Sequence, residues 1–507
     1  MDVEKGLVQD TGPGTVSPTA TAAAGRSDSQ ASRDASILNS ETETESVIVP
    51  ETARQRGRRE EIQLQDQTNL LPLRQVIVVF VGLSCALFCS LLDQTIVSTA
   101  LPTIGQDFEQ ADIVSWVGTS YLLTSTAFQP MSGRLSDIFG RKVVLSASLL
   151  VFLVGTTLCA VAQSMTQLIA FRALAGIGGG GMMTLIMVIA SDVVPLKERG
   201  KYQGILGGIV AAANSAGPLL GGVLSEKLTW RWCFYINLPL TVLSILVVTF
   251  LLPLKRVHGG VRRKLKQIDY LGCALTLIWT ILVLLPLSWA GQQMPWSSVG
   301  VILPLALGGI CLVLFCIVEW RFAHLPIVPM SLFANMTFLG AQIATFFSGM
   351  MFYTSLYYLP LYFQVIWGSS PLRSGILLLP LILTQTVTSF TTGLIVSKTG
   401  DYKINLMIGY LLWAIGSGLL ATIDENTSLG KLVGFQILTG IGAGQTFQTG
   451  LIAVQASVAQ SEMAVATGAR NFFRLLGGTI SLAVCAAILN GSLRSVASLL
   501  QRRTNGK

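Results

Sequence analysis

A chain of 507 residues of which 51% are hydrophobic and only 12% charged is not an ordinary soluble domain, in which about a quarter of residues carry charge. Its net charge of +8 does not mark a nucleic-acid binder: residues 1–70 hold 7 Lys/Arg against 12 Asp/Glu, and the remaining +13 is scattered over short gaps between apolar runs. The solvent that suits this composition is a lipid bilayer.

In chain order, residues 1–70 come first. They contain no Phe, Trp or Tyr and are rich in Ser, Thr, Asp, Glu and Arg, so they cannot bury enough apolar surface to order themselves. No apolar segment opens the chain as a signal peptide would. A disordered cytoplasmic tail is predicted. Beyond it, uncharged stretches long enough to cross a hydrocarbon core about 30 Å thick recur. They predict thirteen helices, near 75–97, 113–133, 143–162, 168–190, 201–223, 233–253, 269–290, 300–320, 338–362, 373–396, 404–423, 431–453 and 472–490.

With the tail inside, the inside gaps hold sixteen Lys/Arg, among them Arg134, Arg141, Lys255, Arg256 and Arg470, whereas the outside gaps hold four, Lys227, Arg231, Arg373 and Lys431. That asymmetry is the one cytoplasmic loops carry. An odd helix count would nevertheless leave Arg494, Arg502, Arg503 and Lys507 outside, so a span is missing or miscounted.

Internal repetition bears on this. Gly133 and Gly140, in GRLSDIFGRK, are spaced like Gly393 and Gly400, in GLIVSKTGDYK, at an offset of 260, and Gly176-Ile177-Gly178 recurs as Gly440-Ile441-Gly442 at 264. Two homologous halves are implied. The expectation is an all-α polytopic membrane protein: an N-terminal six-helix bundle at 71–254, a linker with two extra transmembrane helices at 255–337, and a C-terminal bundle at 338–507. Its last span is expected to be incomplete, because the chain stops short of a second half matching the first.

The eight cysteines lie almost entirely in apolar runs without CxxC spacing and read as small buried hydrophobes rather than metal ligands. His258 and His324 are both placed in loops, which disfavours a histidine relay. No GxxxxGK[ST] occurs, so the chain is not its own ATPase. Gly176, Gly178 and Gly181 spell GxGxxG, but their flanks are membrane helix and close packing explains them better than a dinucleotide. No nucleophile, metal cluster or cofactor motif suggests an enzyme.

Five segments stand out: Leu92-Asp93-Gln94-Thr95-Ile96-Val97-Ser98-Thr99-Ala100-Leu101-Pro102; Gly133-Arg134-Leu135-Ser136-Asp137-Ile138-Phe139-Gly140-Arg141-Lys142; Arg172 to Gly178; Gly217-Pro218-Leu219-Leu220-Gly221-Gly222; and Trp230-Arg231-Trp232-Cys233-Phe234-Tyr235-Ile236-Asn237-Leu238-Pro239. In this order, from about Leu92 to Gly478, they resemble the major facilitator superfamily, specifically its fourteen-helix drug:proton antiporter branch, which includes fungal multidrug and toxin efflux pumps. The resemblance implies the major facilitator fold, two six-helix bundles plus two inserted helices. It also implies export of toxins, secondary metabolites or drugs, a proton gradient in place of a bound cofactor, and a monomer in the plasma membrane or, alternatively, the vacuolar membrane. Uptake or vacuolar transport of a small organic ion, such as a siderophore or an amino acid, and a transport-dead membrane sensor are the alternative readings.

Several residues carry this expectation. Helix 1 rises outward and helix 4 descends, which places Asp93 and Arg172 at similar depth, so they are expected to meet. A carboxylate governed by a neighbouring Arg can take a proton and release its partner; a static structural ion pair is the alternative. Gly133, Arg134, Asp137, Gly140, Arg141 and Lys142 sit in the loop between helices 2 and 3, where the resemblance implies a conformational latch and simple positive-inside charge explains only the basic residues. Gly208, Gly217, Pro218, Gly221 and Gly222 permit a bend and close backbone contact in helix 5, and the resemblance makes them the antiporter signature; a packing kink is the plainer reading. Tyr121, Gln129, Tyr353, Tyr357 and Gln364 are candidates to line a substrate cavity, although aromatics in such helices more often face lipid. Asn471-Phe472-Phe473-Arg474 opens the last helix, where Arg474 either pairs with the latch or snorkels. In the second half, Ser397 replaces the loop Asp and Gln436 stands where Arg172 does, which assigns the proton to the first bundle. Asn426-Thr427-Ser428 fits the N-glycosylation acceptor pattern.

Overall fold

A computed structural model describes residues 71–505, apart from 111–112, 115, 255–256, 258–259, 291–293, 324 and 370. The expectations for residues 1–70, Lys255, Arg256, His258, His324 and Lys507, and for the side chains of Arg494, Arg502 and Arg503, lie outside the described residues.

Among the described residues thirteen long helices follow one another: α1 Leu73–Asp107, α2 Trp116–Phe139, α3 Arg141–Ala160, α4 Met165–Asp192, α5 Leu196–Lys227, α6 Trp232–Leu251, α7 Tyr270–Trp289, α8 Val299–Arg321, α9 Met336–Val365, α10 Pro371–Thr399, α11 Lys403–Leu420, α12 Leu429–Ala456 and α13 Met463–Asn505. Ten are long and apolar enough to cross a membrane. The other three are α2, α9 and α12. Helix starts are fixed by side chains that accept orphan amides. Ser164 accepts from Gln167 at 3.3 Å, Asp269 from Gly272 at 2.8 Å and Asn335 from Thr337 at 2.9 Å.

Helices α1–α6 form one bundle, in which α2 packs on α4, α1 on α5 and α3 on α4; α9–α13 form a second, with α10 and α11 on α12 and α9 on α13. The bundles meet along two seams, α5 against α10 and α2 against α13, and the α7–α8 hairpin lies on α2 and α13. Among the described residues the second bundle has five long helices rather than six. After Leu489, where its membrane-crossing stretch ends, α13 continues unbroken to Asn505 instead of turning back.

The repeat is visible in the seams. A side chain at Gly133 of α2 would strike the backbone of Ala464 in α13, and one at Gly393 of α10 would strike Gly200 in α5. These four positions are related by the two offsets, 260 and 264. Gly140 (φ 102) and Gly400 (φ 74) each turn the chain at the foot of α2 and of α10, in backbone conformations that L side chains resist.

Two differences from the sequence reading bear on the site. GRLSDIF is not a loop but the last turns of α2, and the corner consists of Gly140 alone. α13 begins at Met463 rather than 472, so Arg470 is a helix residue and Asn471–Arg474 lie in its third and fourth turns. The early start is invisible to a charge-based reading, which takes Arg470 as the mark of a gap.

Candidate functional site

Asp93 lies 20 residues into α1, and Arg172 lies 7 residues into α4, which runs the opposite way. Their side chains meet: Arg172 Nη1 is 2.5 Å from Asp93 Oδ2, with the residues 1% and 0% exposed. Arg172 Nε also donates to the Val117 carbonyl at 3.0 Å, and Asn237 Nδ2 of α6 donates to the second carboxylate oxygen at 3.3 Å. The guanidinium stacks 4.3 Å from the Tyr121 ring centre, and the Tyr121 hydroxyl donates to the Ser90 carbonyl at 3.1 Å. Four helices therefore enclose one carboxylate and one guanidinium without water-facing surface. In such a setting neither charge can lose the other cheaply. A proton arriving on the carboxylate removes the attraction and returns Arg172 to its neutral partners.

A second polar cluster occupies the corner between α2 and α3. Arg141 Nη1 is 2.5 Å from Asp137 Oδ1 and 2.8 Å from the Ser136 hydroxyl, and its Nε is 3.0 Å from Asp192 Oδ2 at the end of α4. Arg134 is 3.6 Å from Asp137. Lys142 donates to the carbonyls of Thr249 and Leu252, at 2.8 and 3.0 Å, where α6 ends. Asp192 was not identifiable from the sequence motif, because it lies 51 residues from Arg141 and only the packing of α4 on α3 brings it there.

At the same end, hydrogen bonds cross from one bundle to the other. Ser191 Oγ donates to Gln455 Oε1 at 2.9 Å, and Arg199 Nη1 approaches the Met463 sulfur at 3.3 Å. Each pair is 264 residues apart, so each residue meets its own counterpart in the other half.

Of the glycines in α5, Gly217 and Gly221 let it lie against Thr95, Ile96 and Thr99 of α1, and Gly208 faces Thr386 of α10. Pro218 stands inside the helix between them. Gly222 has nothing within 4 Å of where a side chain would start, so it does not serve close packing as expected. Gly178 and Gly181 seat α4 on α3 and Gly176 seats it on α2, which is their packing role.

The proposed cavity residues separate. Tyr121 belongs to the ion-pair cluster, and Gln129 is fully buried in α2, its amide without a hydrogen-bond partner among the described residues. Tyr353 of α9 lies beside Gln94 of α1, which is next to Asp93. Tyr357 is 45% exposed. Gln364 donates to Ser374 at 3.0 Å, tying α9 to the start of α10. A cleft between the bundles is lined by Ala211 and Asn214 of α5, Phe352 of α9, Gln385 and Ser389 of α10 and Phe447 of α12. Apart from the aromatic character of α9, nothing in the sequence singles these out. Asn426 is exposed on the loop between α11 and α12. Among the described residues no three His, Cys, Asp or Glu side chains gather as metal ligands would.

Two bundles related by an internal repeat, meeting along paired seams around a polar and aromatic cleft, define a multi-pass membrane transporter. The chain belongs to the Major Facilitator Superfamily, whose family model matches residues 83–482. It is similar to the efflux pump dotC of Dothistroma septosporum, 38% identical over 85% of this chain and 74% of that one. It is also similar to citrate exporter 1 of Yarrowia lipolytica, 37% identical over 87% of this chain and 66% of that one. Its fold matches the solved structure of the proton:xylose symporter XylE with a TM-score of 0.56 at 14% identity, covering 84% of this chain and 91% of that one.

Proposed function

We propose that the protein is a proton-driven efflux transporter that exports small, largely apolar compounds such as toxins, secondary metabolites or drugs. The observation that carries the proton coupling is the Asp93–Arg172 pair, a completely buried carboxylate held at 2.5 Å by one guanidinium. Protonation of Asp93 neutralises the carboxylate and leaves the Arg172 guanidinium a buried cation without its counter-charge, which the present packing of α1, α2, α4 and α6 does not satisfy. Asp93 is followed in α1 by Gln94, which lies beside Tyr353 of the second bundle, so a change of charge in one bundle arises next to the other. Efflux as the direction is supported by relatives named as an efflux pump and an exporter and by the glycine and proline residues of α5.

The corner residues Gly133, Arg134, Asp137, Gly140 and Arg141, with Asp192, act as the latch that holds the bundles together at their end of the molecule. The distribution of Lys and Arg assigns that end to the cytoplasm. Transport then follows rocking of the two bundles about the cleft. The protein works as a monomer in the plasma membrane, with the proton gradient as its energy source and no bound cofactor. Asn426 then faces outside and accepts a glycan; an endoglycosidase-sensitive mobility shift lost in Asn426→Gln is the expected result.

Substrate efflux from energised vesicles or cells loaded with an apolar dye tests the reading. Collapse of efflux on adding a proton uncoupler is expected. Efflux that survives the uncoupler refutes proton coupling.

A further inference from the structure

Two arginines on α13 have no part in the mechanism above. Arg470 and Arg474 are one helical turn apart and each is 4% exposed. Arg470 donates to the Phe447 carbonyl at 2.5 Å and to Asn471 at 3.4 Å. Arg474 lies with its guanidinium 4.5 Å from the Phe447 ring centre, and the Nε atoms of both arginines have no hydrogen-bond partner among the described residues. The ionisable groups beside them are Tyr410, Tyr353 and each other. No carboxylate among the described residues pairs with either.

This is an unusual placement for charge. Arg470 and Arg474 stand 7 and 11 residues from the start of α13 at Met463, or about 10 and 16 Å along the helix, both inside its membrane-crossing stretch, which ends at Leu489. Ionisable groups at such depth need a partner, and two like charges one turn apart repel each other. The other buried arginines of comparable depth show the contrast, since Arg172 is satisfied by Asp93. Phe447, on which Arg474 stacks, lines the cleft between the bundles, as does Phe352 next to Tyr353. The uncompensated charge therefore stands directly behind the aromatic wall of the cleft. Guanidinium groups present flat, paired donors that match a carboxylate in geometry as well as charge.

We propose that Arg470 and Arg474 form a binding site for a carboxylate-bearing group of the transported compound, beside Phe447 on the C-terminal wall of the cleft. The inference rests on the transporter reading but not on its energy source. The exported compound is then an aromatic or otherwise apolar acid, its ring against Phe352 and Phe447 and its carboxylate against the two guanidiniums.

Ligand binding to the purified full chain in detergent, without any gradient, tests this independently of proton coupling. The probes are citrate, 1-naphthoate, the uncharged 1-naphthamide and inorganic phosphate, and the readout is a saturable rise in melting temperature. At least one of the two carboxylates is expected to bind, with 1-naphthamide at least tenfold weaker than 1-naphthoate if the latter binds. Arg470→Gln and Arg474→Gln weaken that carboxylate at least tenfold. If a glutamine variant does not fold, Arg474→Lys, which keeps the charge and loses the flat paired donors, weakens it at least threefold. The proposal is overturned if neither carboxylate binds, if the variants bind it as the unaltered chain does, or if phosphate binds equally well and marks a site for any free anion. A failed uncoupler test with intact acid binding would remove proton coupling and leave this site standing.

Discussion

Arg134 donates from Nε to the Pro326 carbonyl at 2.6 Å, joining the foot of α2 in the first bundle to the segment that follows the inserted hairpin. That segment is fixed by Glu319 of α8, whose carboxylate accepts from the backbone N–H groups of Ile327 and Val328 at 3.1 and 3.3 Å. The segment after α8, held by Glu319, thus supplies the acceptor for Arg134.

Glu319→Ala leaves two buried backbone donors without acceptors, at a cost of about 1–3 kcal/mol for such a group. A melting temperature several degrees lower in detergent is expected, with Glu319→Gln, which keeps one acceptor, falling in between. An unaltered melting temperature for the alanine variant would contradict the bracing role.

The Asp93–Arg172 pair makes a prediction about non-additivity. Asp93→Asn or Arg172→Gln alone strands one buried charge, which costs about 3–5 kcal/mol. Combining them removes both charges, so the double variant is expected to be more stable than the sum of the single losses, by about 0.5–3 kcal/mol of coupling. Additive melting-temperature losses would dissolve the pair as an energetic unit. Proton-driven efflux should be lost in Asp93→Asn by at least tenfold, whatever its stability.

How much of this was legible depended on the kind of signal. The Asp93–Arg172 approach could be inferred because helix direction and residue count fix depth without any knowledge of packing. Asn237 and Asp192 could not, because each reaches its partner only through the rotation of α6 or α4 about its own axis. Arg470 was assigned to a gap on the assumption that charge marks the end of a span, and the structure places it inside α13. Tyr121 was taken for a cavity residue and instead stacks on Arg172, since an aromatic ring facing a charge and one facing a ligand leave the same trace in a sequence.

Glycines can be sorted by what surrounds them. Gly140 has φ 102, and Gly140→Ala is expected to cost about 1–3 kcal/mol of backbone strain and to slow transport. Gly222→Ala meets open space and should gain up to about 1 kcal/mol from the better helix propensity of alanine. Equal effects of the two substitutions on melting temperature would reject this distinction.

The seams make a different prediction. Gly133→Val drives a branched side chain into the backbone of Ala464, which separates α2 from α13 at the latch end. A cysteine placed at Ser191, now buried against Gln455, should then react several-fold faster with a maleimide supplied from that side. Unchanged labelling would mean that this seam does not close the cleft.

The contacts between Ser191 and Gln455 and between Arg199 and Met463 place those positions on the pseudo-twofold axis, where the chain behaves like a homodimer folded from one polypeptide. In two identical halves a residue there would face a copy of itself, and an arginine would face an arginine. Joining the halves in one chain lifts that constraint: the present pairs are Ser with Gln and Arg with Met, combinations that no symmetric dimer can make. The axis is therefore where the two halves had most to gain by diverging.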